Sequence, residues 1–151
     1  MDDTEPRPIR VVLFPTDPAE RVTVTEVDGS MEGLCRALGA YSPQYVFLPG
    51  LPSTNLVCDE YGKTRQPAPN PRATRFVDRY VRGFARVDMI MGPAVVVGTD
   101  DDGSTDISLA AEEAALAEQT QRDRVPAWRD HSADASQPRL AVVRPEDAPS
   151  V

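Results

Sequence analysis

Histidine, lysine and cysteine are nearly absent from this chain: His131, Lys63, Cys35 and Cys58 are all it has of them in 151 residues. Each scarcity excludes some chemistry. The one histidine lies in a proline-rich stretch, so a serine or cysteine nucleophile lacks a well-held base. Two cysteines without histidine partners do not make a zinc site. No apolar run approaches the ~20 residues of a membrane span, and Met1-Asp2-Asp3 is acidic where a secretory signal is basic. These features predict a cytoplasmic protein with two free, buried thiols and no membrane partner. Neither a phosphate-binding loop of the Walker type nor a dinucleotide fingerprint occurs, so no cofactor, metal or catalytic residue is implied.

Arginine and acid are what the chain has instead. Its basic residues are fifteen arginines beside Lys63, against 24 acids, for a net charge of −8. That balance favours solubility and argues against general adhesion to DNA or anionic lipid. A chain of this length buries roughly 68–70% of its unfolded surface, enough for a core without staples.

Ile9–Phe14 is a short apolar run ended by "PTDP", and Arg21–Val27 alternates, which together predict an antiparallel strand pair. Met31, Leu34, Cys35 and Leu38 follow a helical spacing, with Ser30 as N-cap and Gly39 as left-handed stop. Tyr45–Leu48 and Asn55–Cys58 read as strands, and "DEYGK" as a turn in which Gly62 takes positive φ. Asn70-Pro71 opens a second helix. "MIMGPAVVVG" is an apolar strand interrupted at Gly92-Pro93, and "TDDDGSTD" is a polar turn. "ISLAAEEAALAEQTQ" is a third helix, with Leu109 and Leu116 seven apart on one face. The order β-β-α-β-β-α-β-α, with short links, predicts an α+β fold over residues 1–122: a small mixed or mostly antiparallel sheet with about three helices. Residues 123–151, rich in proline, read as an irregular, flexible C-terminal tail whose apolar points are Trp128 and Leu140–Val143.

The charge is unevenly placed. From Lys63 to Arg86 seven basic residues face one acid, Asp78; the remainder holds nine bases and 23 acids, a net charge of −14. If Pro71 to about Val87 is one helix, Arg72, Arg75, Arg79, Arg82 and Arg86 share an arc of roughly 80°, and Phe76, Tyr80, Phe84 and Val87 fall on a separate arc. Neighbouring arginines at helical spacing each cost about 0.2–0.5 kcal/mol, so something must neutralise the strip. Two neutralisers are open: the chain's own carboxylates, or an external anion such as a nucleotide, a nucleic-acid backbone or an acidic protein face. Gly83 is a point at which the helix could end and detach Arg86 from the row. The candidate partner-binding set is thus Arg72, Arg75, Arg79, Arg82, Arg86 and Lys63.

Other constellations fail on their own chemistry. Asp100–Gly103 lacks the acid that a calcium loop needs at Gly98 and has Leu109 where glutamate belongs. Cys58 is followed by Asp59 and Glu60, whose charge opposes thiolate formation.

Three stretches together carry a resemblance: Asp59, Glu60, Gly62 and Lys63; Pro69, Asn70 and Ala73; Asp88, Ile90 and Gly92. In that pattern, over about Ile9 to Gln121, the chain resembles the family catalogued as domain of unknown function 3846, small proteins of phages, plasmids and their actinobacterial and firmicute hosts. The resemblance implies a mobile-element origin and an accessory role, and supplies no reaction. Three functions are expected in turn. The first is a non-enzymatic binding protein that engages a host macromolecule, a protein foremost, and interferes with a defence or regulatory factor. The second is a binder of nucleotides or nucleic-acid phosphates through the arginine helix. The third is an enzyme acting through carboxylates.

Overall fold

A computed structural model describes residues 7–65 and 68–121. The strands are β1 (Pro8–Phe14), β2 (Thr23–Asp28), β3 (Pro43–Phe47), β4 (Thr54–Asp59), β5 (Ala94–Asp100) and β6 (Gly103–Thr105); the helices are α1 (Met31–Leu38), α2 (Gly62–Arg65), α3 (Pro71–Tyr80), α4 (Phe84–Val87) and α5 (Leu109–Gln121). All pairings are antiparallel, in the order β2-β1-β5-β4-β3, with β6 beside the end of β5. The fold is therefore α+β with an antiparallel six-stranded sheet, as the strand lengths and short links predict. The proline-rich tail lies outside the described residues, and with it Trp128, His131 and Leu140–Val143.

Helices cover both faces of the sheet. β5 sits at its centre and reads as a continuous apolar run because both of its faces are buried. Val95 and Val97 pack with Val11, Val57, Leu34 and Leu38 under α1. Ala94 and Val96 pack with Val12, Phe14, Leu56, Phe76 and Val77 under α3 and α5. Phe14, Phe76 and Tyr80 form an aromatic row with centroids 5.5 and 5.4 Å apart.

α1 follows its capping signals, and of its apolar stripe Leu34 and Leu38 are buried, Cys35 is half-buried and Met31 is exposed. Ser30 Oγ accepts from Gly33 N at 3.0 Å, and Gly39, at φ 63°, closes the helix with a bond from Ala40 N to Cys35 O at 2.8 Å.

Three local expectations are corrected. The helix that starts at Asn70 stops at Tyr80: Val81 is extended, Gly83 takes φ 82°, and a separate turn, α4, follows. Asp78, the single acid of the basic segment, accepts from Ala85 N at 2.8 Å across that break. "DEYGK" is not a hairpin turn but the start of α2, and Gly62 is not in the left-handed region. Gly62 serves close approach instead, since a Cβ there would meet Met91 O at 2.8 Å. In α5 the buried face is Ala111, Ala115 and Glu118; of the two leucines expected on one apolar face, Leu116 is partly buried against the core and Leu109, at the helix start, is exposed. The polar turn after β5 is a β5–β6 hairpin.

Candidate functional site

The arginines separate by depth. Arg72 is 3% exposed, and its guanidinium donates to Pro15 O (3.1 Å), Asp17 O (3.0 Å) and Gln119 Oε1 (3.1 Å). Arg75 and Arg79 reach from α3 to a single carboxylate on α5, Glu118, which is fully buried: Nε to Oε1 is 3.3 Å and Nε to Oε2 is 2.6 Å. Burial pulls the Arg75 guanidinium below its ordinary pKa, and the Glu118 charge opposes that pull. Arg82 and Arg86 are exposed and take part in none of the ion pairs among the described residues; Lys63 pairs with Asp88. The row expected as one outer flank divides: only Arg72 is buried, Arg75 is part-buried, Arg79 is exposed but tied to Glu118, and Arg82 and Arg86 are exposed. The reason is α5, whose acid at the sequence position of Glu118 falls on the helix's small-residue stripe and meets α3 head-on.

Elsewhere the chain brings distant stretches into one place. Asn70, fully buried, donates its amide to Phe14 O (3.0 Å) and Gly92 O (2.9 Å), accepts from Ala73 N (3.1 Å), and sends its own N–H to Ile90 O (2.8 Å). Thr74 Oγ1 accepts from Ile90 N at 2.9 Å. The start of α3 and the segment Ile90–Gly92 are thereby locked side by side, with Gly62 against Met91 and Lys63 against Asp88. All three motif stretches meet here.

Two of them, the stretch from Asp59 to Lys63 and that from Asp88 to Met91, line a cleft of about 180 Å³ against the sheet. Gln44 and Val46 of β3 form one wall, Phe84 and Met89–Met91 the other, and Lys63 and Asp88 lie along it. Cys58 sits in the floor. Burial, then the charges of Asp88 and Asp59, push its thiol up to about 11, with Lys63 partly opposing. The floor thiol is therefore protonated near neutral pH and is no nucleophile. Among the described residues no group of three or more histidine, cysteine or acidic side chains is placed to hold a metal ion. What the cleft offers is shape, apolar surface, the Lys63–Asp88 pair and the carboxylate of Glu60.

β3 is also one edge of the sheet. It carries no charge in "PQYVF", unlike the opposite edge β2 with Glu26 and Asp28. Tyr45 and Phe47 share the α1 side of the sheet, because Tyr45 lies opposite Val57; they are 40% and 60% exposed. Tyr41, just before the strand, is exposed with the Arg65 guanidinium 5.4 Å from its ring centroid. Arg65 in turn binds the buried Asp59 carboxylate at 3.1 Å. None of β3 belongs to the sequence-predicted site. The available signal was a short uncharged strand with two aromatics two residues apart.

An antiparallel sheet between α1 on one side and α3 with α5 on the other, with a cleft at one edge, defines a small α+β sandwich. The chain belongs to the family described as Domain of unknown function (DUF3846), whose model matches residues 9–122. No curated protein matches the chain. The crystal structure of small RNA methyltransferase HEN1 is similar in fold, with a TM-score of 0.51 and 15% identity over 74% of this chain. The match spans 16% of that protein, so the likeness concerns the fold of one section of it.

Proposed function

We propose that the protein is a non-enzymatic accessory protein of a phage or other mobile element, which binds a protein of the host in the host cytoplasm and thereby interferes with a defence or regulatory factor. One observation carries the binding reading: Tyr45 and Phe47 stand exposed, side by side, on an uncharged edge strand. Aromatic side chains left in water on a sheet edge mark a surface that another protein covers, since an isolated domain gains by burying or charging such an edge. The phage and host terms rest on family membership and on the mobile-element origin that the resemblance implies.

The test is affinity capture from host lysate with and without nuclease, using the full chain and its Phe47→Lys variant. A partner retained after nuclease treatment, lost with Phe47→Lys and weakly dependent on salt supports the reading. Capture that disappears with nuclease, or affinity that falls steeply and linearly with log salt, overturns it.

A second reading, phosphate binding to a nucleotide or nucleic acid, draws on Arg82 and Arg86, exposed in the turn after α3 and in α4. It predicts the steep salt dependence and its loss in Arg82→Glu/Arg86→Glu.

A further inference from the structure

Resting on the protein-binding reading, we infer that the partner enters as an extended peptide segment that adds a strand to the outer edge of β3, with one large apolar side chain seated in the cleft. Three features of β3 point to this mode.

The first is main-chain valence. Glu60 N donates to Ser42 O at 2.9 Å and Leu48 N to Thr54 O at 3.2 Å, one at each end of the β3–β4 pairing. Hydrogen-bonded pairs alternate along an antiparallel ladder, so Ser42, Gln44, Val46 and Leu48 bond toward β4. The N–H groups of Tyr45 and Phe47, with the carbonyls of Pro43, Tyr45 and Phe47, consequently face outward. That is the donor and acceptor row that strand addition uses.

The second is continuity with the cleft. Gln44 and Val46 point to the cleft side of the sheet and form its wall. A strand laid on β3 places alternate residues opposite them, with Cβ atoms about 4.5–5.5 Å away, at the cleft mouth. Its other residues fall beside Tyr45 and Phe47 on the α1 side. One segment thus meets both surfaces without any change in the sheet.

The third is size and charge. About 180 Å³ is below the roughly 300–1,000 Å³ of sites that hold cofactors or drug-sized ligands, which leaves a single side chain as the fitting guest. Met89 and Met91 in the wall adapt to different apolar shapes. Of the neighbouring charges Lys63 is matched with Asp88 and Arg65 with Asp59, and the strand has none. Glu60 at the cleft accepts from Ser42 Oγ and takes part in none of the ion pairs among the described residues, which disfavours an acidic guest. The peptide is accordingly apolar at alternate positions, and it is not acidic, because the chain as a whole carries −8.

The experiment uses the full chain and a displayed library of random linear peptides. Selected peptides are resynthesised with N-methyl groups on alternate residues, and amide exchange of Tyr45 and Phe47 is followed on binding. The expected result is enrichment of alternating apolar sequences, loss of affinity by about tenfold or more on N-methylation in one register only, and slowed exchange at both amides. Tyr45→Pro removes an outward donor without touching the β3–β4 ladder, and it should weaken binding more than Tyr45→Ala while both remain folded. Met91→Trp, which fills the cleft, should weaken it independently. No enrichment, binding indifferent to N-methylation, or equal effects of Tyr45→Pro and Tyr45→Ala would overturn strand addition. Amides of Tyr45 and Phe47 already protected in the free chain would overturn it too, indicating a second copy if sedimentation shows a dimer and the chain's own residues 122–151 if it shows a monomer. Nuclease-resistant capture that survives Tyr45→Pro leaves protein binding standing and removes only this mode.

Discussion

Glu118 and Arg79 meet across the α3–α5 interface, Oε2 to Nε at 2.6 Å, with the carboxylate wholly buried and Arg75 on its other oxygen. The charge of one acid is shared by two guanidinium groups, and Nη2 of Arg75 is buried with no further hydrogen bond among the described residues. Removing the acid leaves Arg75 without its counter-charge. Glu118→Ala is expected to lower stability by about 3–5 kcal/mol, and Glu118→Gln by less, in urea titrations.

Charge reversal separates the two halves of the arginine row. Arg75→Glu/Arg79→Glu brings three carboxylates together at the buried end of α5, and the protein should fail to fold, as circular dichroism would show. Arg82→Glu/Arg86→Glu changes exposed groups only and should stay within about 0.5 kcal/mol of the parent.

Asn70 holds three segments with one side chain. Asn70→Asp retains the acceptor for Ala73 N but removes both donors, leaving Phe14 O and Gly92 O facing a carboxylate. A loss of about 2–5 kcal/mol is expected in thermal or urea melts, more than a helix cap alone contributes.

The thiols should be slow to react. With the Cys58 thiol near 11, roughly one molecule in a thousand carries its thiolate at pH 8. Cys35, half-buried, is also raised, chiefly by burial and then by Asp59. Mass spectrometry after iodoacetamide treatment of the folded chain should find Cys35 modified first and Cys58 modified only on denaturation.

Asp28 gives a pH signature at the start of α1. Its carboxylate accepts from Ser30 N (3.0 Å) and Arg7 N (3.1 Å), and these bonds hold its pKa below the ordinary 3.8. A depressed folded-state value contributes stability that is complete above the ordinary value and is lost as pH falls through the depressed one. The Ser30 amide resonance should therefore titrate below pH 3.8, and Asp28→Asn should abolish that transition.

Much of the architecture was legible along the chain because its signals are local. Ser30 and Gly39 bound α1, Asn70-Pro71 starts α3, and "AVVV" marks a strand buried on both faces. The end of α3 was half legible in Gly83. The face that α5 buries was not: Leu109 is exposed, whereas Ala111 and Ala115 are fully buried, Leu116 packs at their side, and Glu118 is carried in with them. The cleft was invisible for a similar reason, since Gln44, Lys63, Phe84 and Met91 become neighbours only through strand pairing and the bonds of Asn70.

The order of residues alone determined where helices begin, which stretches extend and how charge is distributed, because caps, alternation and proline act within a few positions. Only the folded sheet decided which arginines became internal struts and which strand was left at the rim. Those outcomes depend on what stands opposite each side chain, and an opposing element tens of residues away has no fixed place until the chain closes.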